Sequence, residues 1–164
     1  MNPEMPEMPT NCLPAELVAR PGFLLGRLGT TMKSEVMEAF DREGFSAYHY
    51  SILALLDEGA RTTQAGIADA LGMDASMLVS LLDGLEDRGH IERKRDPKDR
   101  RRQTVTMTAA GRRQLAAFRK LVVRLEDEFL APLSAEERQE LHDLLLRVAS
   151  HRDARYVVRT VARA

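Results

Sequence analysis

The order of segments over residues 62–108 restricts the possible folds more than any other feature of the chain. "TQAGIADALG" sets Ile67, Ala68 and Leu71 on one helical face and ends at Gly72, while "DASMLVSLLDGLEDRG" opens on Asp74 as a cap and runs through Met77 or Leu78, Leu81, Leu82 and Leu85 to Gly89. Two short helices divided by "GM", with small Ala68 and Gly72 allowing a close crossing, have the spacing of a helix-turn-helix. Helical hairpins with a glycine in the turn also occur in unrelated bundles, so the pair alone does not decide function. "HIERKRD" and "RQTVTMT" then place Ile91, and Val105 with Met107, at the period of a strand. "DPKD" between them has turn chemistry, because Pro97 fixes its own backbone and the aspartates can hydrogen-bond nearby amides.

That hairpin also concentrates charge. From Arg88 to Arg102 there are eight Arg or Lys and three acidic residues, in a chain whose formal net charge is only −1. Such a local field can hold phosphates even when the whole chain is not basic. Taken alone, the charge is explained as well by a solvated hairpin. A basic hairpin directly behind a helix-turn-helix, however, describes a winged helix, and a wing beside a groove-seeking helix gives the charge a use.

The flanking segments predict further helices. Leu24, Leu28, Met32, Val36 and Phe40 recur at steps of four after Pro21, in a stripe weakened near Gly26 and Gly29. Ser46 caps a helix carrying Tyr50, Leu53 and Leu56 and stopped at Gly59. Thr108 caps a long helix from Ala109 to about Leu130, with Leu115, Phe118, Val122, Leu125 and Phe129 on one face, and Pro132 ends it. Ser134 and Glu137 form a capping box for a last helix with Leu141, Leu144, Leu145 and Val148; Tyr156, Val157, Val158 and Val161 extend it or reach across a partner. A winged helix-turn-helix is complete in about seventy residues, so the first helix and the last two are surplus to it. The economical use for them is a dimerisation layer drawn from both ends of the chain; a larger monomeric helical core is the competing use. The fold class expected is therefore mainly α with a small β-hairpin wing. Residues 1–16 are expected to form a flexible arm, 46–108 the winged helix-turn-helix, and 17–42 with 109–164 the dimerisation region, all within one unit spanning 17–164.

Composition excludes several classes. No run of eighteen apolar residues is present to cross a membrane, and the proline-rich start lacks the pattern of a signal peptide, so a soluble, cytoplasmic protein is expected. Cys12 is the single cysteine, which excludes an internal disulfide and a multi-cysteine metal site. His49, His90, His142 and His151 form no compact ligand motif, and no phosphate-binding loop, "HExxH" or nucleophile elbow occurs, so neither an enzyme nor a bound cofactor or metal is expected.

The stretch "LLDGLEDRGHIERKRDPKDRRRQTVTMTAAG", residues 81–111, resembles the recognition-helix end, wing and following Thr-x-x-Gly of the MarR family of winged helix-turn-helix transcriptional regulators; "IADALGM" and the helix order extend the likeness over about residues 21–150. The resemblance implies a homodimer on palindromic double-stranded DNA, with recognition helices in successive major grooves and wing tips in the flanking minor grooves. The expected function is transcriptional regulation by repression, modulated by a small ligand. Asp96 and Asp99 match the family's wing acids, and Arg100 and Arg101 the arginines behind them. With Lys98 and Arg102 these are the expected wing contacts, the aspartates orienting the arginines. The recognition helix departs from the family pattern, having Val79 and Ser80 where relatives carry a Thr-Arg pair and Gly84 where a basic residue is usual. Base reading is then left to Ser76, Ser80 and apolar contacts from Met77 or Val79 to thymine methyls. The resemblance also implies a ligand cleft, often for an aromatic molecule, with Met32, Val36, Phe40, Tyr48, His49 and Phe118 as candidate lining residues; their spacing fits a core equally well. A dimeric ligand- or protein-binding module that has lost strong base readout is the alternative function.

Overall fold

The computed structural model describes residues 12–59, 62–95 and 103–156. The order is α1 (Ala15–Val18), α2 (Pro21–Arg42), α3 (Ala47–Asp57), α4 (Gln64–Leu71), α5 (Ala75–Asp87), β1 (Ile91–Arg95), β2 (Gln103–Met107), α6 (Ala109–Phe129) and α7 (Ala135–Arg152), followed by a 3-10 turn, Ala154–Tyr156. The short α1 begins inside the segment expected as arm, and all of its residues are exposed.

Local chemistry sets most boundaries. Pro21 opens α2, where its missing N–H costs nothing, and Gly44 at φ 74° lets the chain reverse after it. Ser46 Oγ accepts from the Tyr48 N–H at 3.2 Å, and His49 Nδ1 accepts from the Ser46 N–H at 2.9 Å, so a histidine completes the box that opens α3. Thr63 caps α4, Asp74 caps α5, Thr108 caps α6, and Ser134 with Glu137 form the capping box of α7. Gly72 at φ 63° makes the turn through which α5 departs from α4 at 113°, within the range of helix-turn-helix crossings.

β1 and β2 pair antiparallel with Ile91 opposite Met107 and Arg93 opposite Val105. Thr63 bridges Thr104, and the Val105 N–H donates to the Thr62 carbonyl, so β2 is also tied to the chain entering α4. The core is built from α2 to α6 and the hairpin: Phe40 of α2, Ile52 and Leu53 of α3, Ile67 of α4, Leu78, Leu82 and Leu85 of α5, Ile91 and Val105 of the hairpin, and Leu115 and Phe118 of α6. Phe118 holds Phe40 at 5.0 Å and Phe45 at 4.9 Å, ring centre to ring centre. The helices assigned from sequence to the dimerisation layer thus supply part of the winged-helix core. Away from it they are bare. No residue of α7 is buried in the single chain, and the stripe of α2 is buried only at its end, at Ala39 and Phe40.

Candidate nucleic-acid interface

α5 buries Leu78, Leu82 and Leu85 and therefore turns Ser76, Val79, Ser80 and Asp83 outward, with Met77 half-buried at the edge. Its start is anchored by one carboxylate: Asp74 Oδ1 accepts from the Met77 N–H at 2.8 Å and from the Ser76 hydroxyl at 2.6 Å. These bonds favour the ionised form and hold the Asp74 carboxyl below its ordinary range, the Ser76 hydroxyl contributing most. Beside this face lies a shallow cleft of about 420 Å³, bounded by Thr63, Gln64 and Ala65 at the start of α4, Ala75 and Val79 of α5, and Gln103 of β2.

Gly84 does not belong to the outward face. A β-carbon there would stand 3.5 Å from His49 Nε2, so the position points toward α3. The lack of a basic residue at 84 therefore removes nothing from the reading surface, and Val79 and Ser80 are the departures that matter. His49 is buried, and its imidazole is held below its ordinary pKa by that burial first and by the nearby Arg88 charge second.

The hairpin's positive charge divides in two. Arg93 lies on the inward-turned side of β1 and forks onto α5: its Nε donates to Glu86 Oε2 at 2.8 Å and its Nη2 to Asp83 Oδ1 at 2.6 Å, while its backbone N–H donates to Glu86 Oε1 at 2.9 Å. The side chain is only 18% exposed. The side-chain bonds from Arg93, then its backbone bond, keep the Glu86 carboxyl below the usual carboxylate range. Arg88 turns the other way, donating to the Gly44 carbonyl at 2.7 Å and standing 4.4 Å over the Phe45 ring. Both were counted from sequence with the basic wing; the structure uses them inside the domain, because each meets acceptors brought near only by packing. Lys94 pairs with Glu92 at 3.0 Å on the exposed side. Asp96, Lys98, Asp99, Arg100, Arg101 and Arg102 lie outside the described residues.

The six residues considered for a ligand cleft differ in exposure. Phe40, His49 and Phe118 are buried, Met32 and Val36 are half-buried, and Tyr48 is exposed. Sequence reasoning missed the Arg93 fork, the packing of His49 on Gly84, and the role of Gly111, where α6 meets the start of β1. The "Thr-x-x-Gly" at 108–111 was the available signal for the last; nothing local marked the other two. Among the described residues no cluster of His, Cys, Asp and Glu could hold a metal ion, and no single helix is long and apolar enough to cross a membrane.

Comparison with known proteins agrees with this geometry. Residues 43–102 match the model of the MarR family. The chain is 33% identical to a protein assigned as the transcriptional regulatory protein for the hcr operon of Thauera aromatica, over 85% of this chain and 88% of that one. A MarR-family transcriptional regulator from Rhodococcus sp. RHA1 superposes with a TM-score of 0.69 at 31% identity, over 83% of this chain and 96% of that one. CouR from Rhodococcus jostii RHA1, whose crystal structure holds p-coumaroyl-CoA, superposes with a TM-score of 0.66 at 28% identity, over 83% and 96%.

Proposed function

The chain belongs to the MarR family of transcriptional regulators, and from that premise we propose that it acts as a homodimer on palindromic double-stranded DNA, repressing transcription until a small ligand loosens it. The observation that carries this reading is the outward face of α5, held against the hairpin by Arg93 so that helix and wing meet DNA as one body. The fork also neutralises Asp83 and Glu86, which would otherwise repel phosphates from the face that must approach them.

Dimerisation is supported by what the single chain leaves uncovered. Leu24, Leu25 and Leu28 of α2 and Leu144, Leu145 and Val148 of α7 are all exposed, more clustered apolar surface than scattered exposed residues supply. A second copy covering both ends would place two α5 helices for successive major grooves. The wing tip then supplies phosphate and minor-groove contacts through Lys98, Arg100, Arg101 and Arg102, with Asp96 and Asp99 holding the arginines. A dimer seated over a promoter excludes polymerase, which makes repression the simplest outcome.

Ligand control is supported by CouR and its aromatic ligand. In this chain the contacts of Phe118 with Phe40 and Phe45 join α2, α6 and the entry to α3. A planar molecule entering beside Met32, Val36 and Tyr48 would move α2 against α3 and so shift α5 through His49. The absence of any Lys or Arg from α5 favours a second reading, a dimeric ligand- or protein-binding module with weakened base readout. A mobility-shift assay on the DNA flanking its own gene, run through a salt series, separates the two. Sequence-selective binding is expected; no preference over random duplex at moderate salt would reject the first reading and favour the second.

A further inference from the structure

We infer that the outward face of α5 selects A·T base pairs, with Val79 against thymine methyl groups and Ser76 accepting from adenine amino groups, and that it has no cationic reader for guanine. The inference rests on α5 being the helix that enters the major groove. Ser76, Val79, Ser80 and Asp83 lie three and four apart and share one face. Guanine is usually read by a guanidinium or ammonium reaching its O6 and N7. The α5 sequence, "ASMLVSLLDGLED", contains neither, and the guanidinium that reaches α5 from β1, Arg93, is held by Asp83 and Glu86.

What remains is selective in the opposite sense. The single proton of the Ser76 hydroxyl is given to Asp74 at 2.6 Å, so its oxygen faces solvent only as an acceptor. On the major-groove edge the donors are the adenine N6 and cytosine N4 amino groups, whereas guanine offers acceptors alone. Val79, 42% exposed, is the large apolar side chain on this face, and the thymine methyl is the apolar group on that edge. A thymine methyl and an adenine amino group occur together on an A·T pair, which satisfies both residues at once. Cytosine supplies an amino group without a methyl, so Val79 decides against it. Ser80 keeps a rotatable hydroxyl that can donate or accept and therefore selects little.

The test uses the full-length protein and duplexes it enriches from a random library. In the enriched duplexes thymine is replaced by deoxyuridine, and separately guanine by 7-deazaguanine. Deoxyuridine removes only the major-groove methyl and leaves the minor-groove edge unchanged, so wing contacts there are not altered. Enriched half-sites should hold A·T pairs under α5, deoxyuridine should weaken binding by about fourfold per methyl removed, and 7-deazaguanine should change nothing. Val79→Ala should shrink the deoxyuridine effect and relax the preference for A·T over G·C pairs, while Ser76→Ala should keep the deoxyuridine effect and relax only the demand for an amino group where Ser76 faces the groove. Enriched duplexes that bind equally well with deoxyuridine, or that lose affinity with 7-deazaguanine in those half-sites, overturn this inference and leave the DNA-binding proposal intact. Failure to enrich any sequence overturns both.

Discussion

Gly111 on the first turn of α6 faces the carbonyl oxygen of His90 so closely that a β-carbon at position 111 would stand 2.1 Å from it. The approach is drawn tight by Thr108, whose Oγ1 accepts from the Gly111 N–H at 3.0 Å and lies 2.7 Å from the Gly89 carbonyl, to which its hydroxyl donates. One Thr-x-x-Gly thus caps α6 and fastens it to the chain entering the wing.

Gly111→Ala should therefore destabilise the fold by about 2 to 4 kcal/mol, although alanine is the better helix former by about 1 kcal/mol. The atom in the way is backbone and cannot rotate aside. Urea denaturation reads the difference, and a stability equal to or above the parent protein would show that the junction yields.

Arg93→Lys should lower stability by about 1 to 2 kcal/mol although the charge is kept, because lysine cannot repeat the fork onto Asp83 and Glu86. Sequence-selective DNA affinity should fall more than affinity for random duplex, since the loss is one of relative placement between α5 and the hairpin. Equal losses on both duplexes would assign Arg93 to general charge.

Stability should decline as pH falls. His49 and His90 are both held below their ordinary value, first by burial and then by Arg88. The unfolded chain therefore takes up protons before the folded one does. Their contribution is complete above about pH 6.5 and is lost as pH drops from there through the depressed folded values. The groups facing His49 are Ser46, Arg88, His90 and the Leu81 carbonyl. His49→Gln keeps an acceptor at the third position of α3 and should flatten the slope of melting temperature against pH between 7 and 5; an unchanged slope would place the sensitivity elsewhere.

Leu28→Glu or Val148→Glu should yield a folded monomer by sedimentation, because each places a charge on a face that is bare in the single chain, 52% and 55% exposed respectively. Far-UV circular dichroism should be nearly unchanged, since neither residue belongs to the buried core. Dimers surviving both substitutions at micromolar concentration would reject the proposed interface.

Arg100→Ala should weaken binding to specific DNA and reduce the steepness of log affinity against log salt by roughly 1. Asp99→Ala should weaken specific binding while preserving or raising binding to random duplex, if the aspartate positions an arginine. Tighter binding to both duplexes would instead mean that the aspartate contributes only its charge.

The sequence by itself determined the elements from α2 to α7 and their order, whereas the short α1 stands partly in the segment expected as arm. Caps at Ser46, Asp74, Thr108 and Ser134, the left-handed turn at Gly72, and the period-two residues Ile91, Val105 and Met107 are local signals, each settled within a few residues, and each matches the structure. Tertiary structure decided which charged and small residues face where. Arg93 is one of a run of cations in sequence, yet it is consumed by acids seven and ten positions earlier, because the α5–β1 turn folds them together. Gly84 reads as a missing contact until the placement of α3 puts His49 against it. Phe40 and Phe118, whose spacing fits a cleft and a core equally well, are packed ring to ring because helices whose phenylalanines lie 78 residues apart in sequence cross there. Periodicity fixes the side of a helix on which a residue lies; which partner waits on that side depends on long-range packing, and no local pattern encodes it.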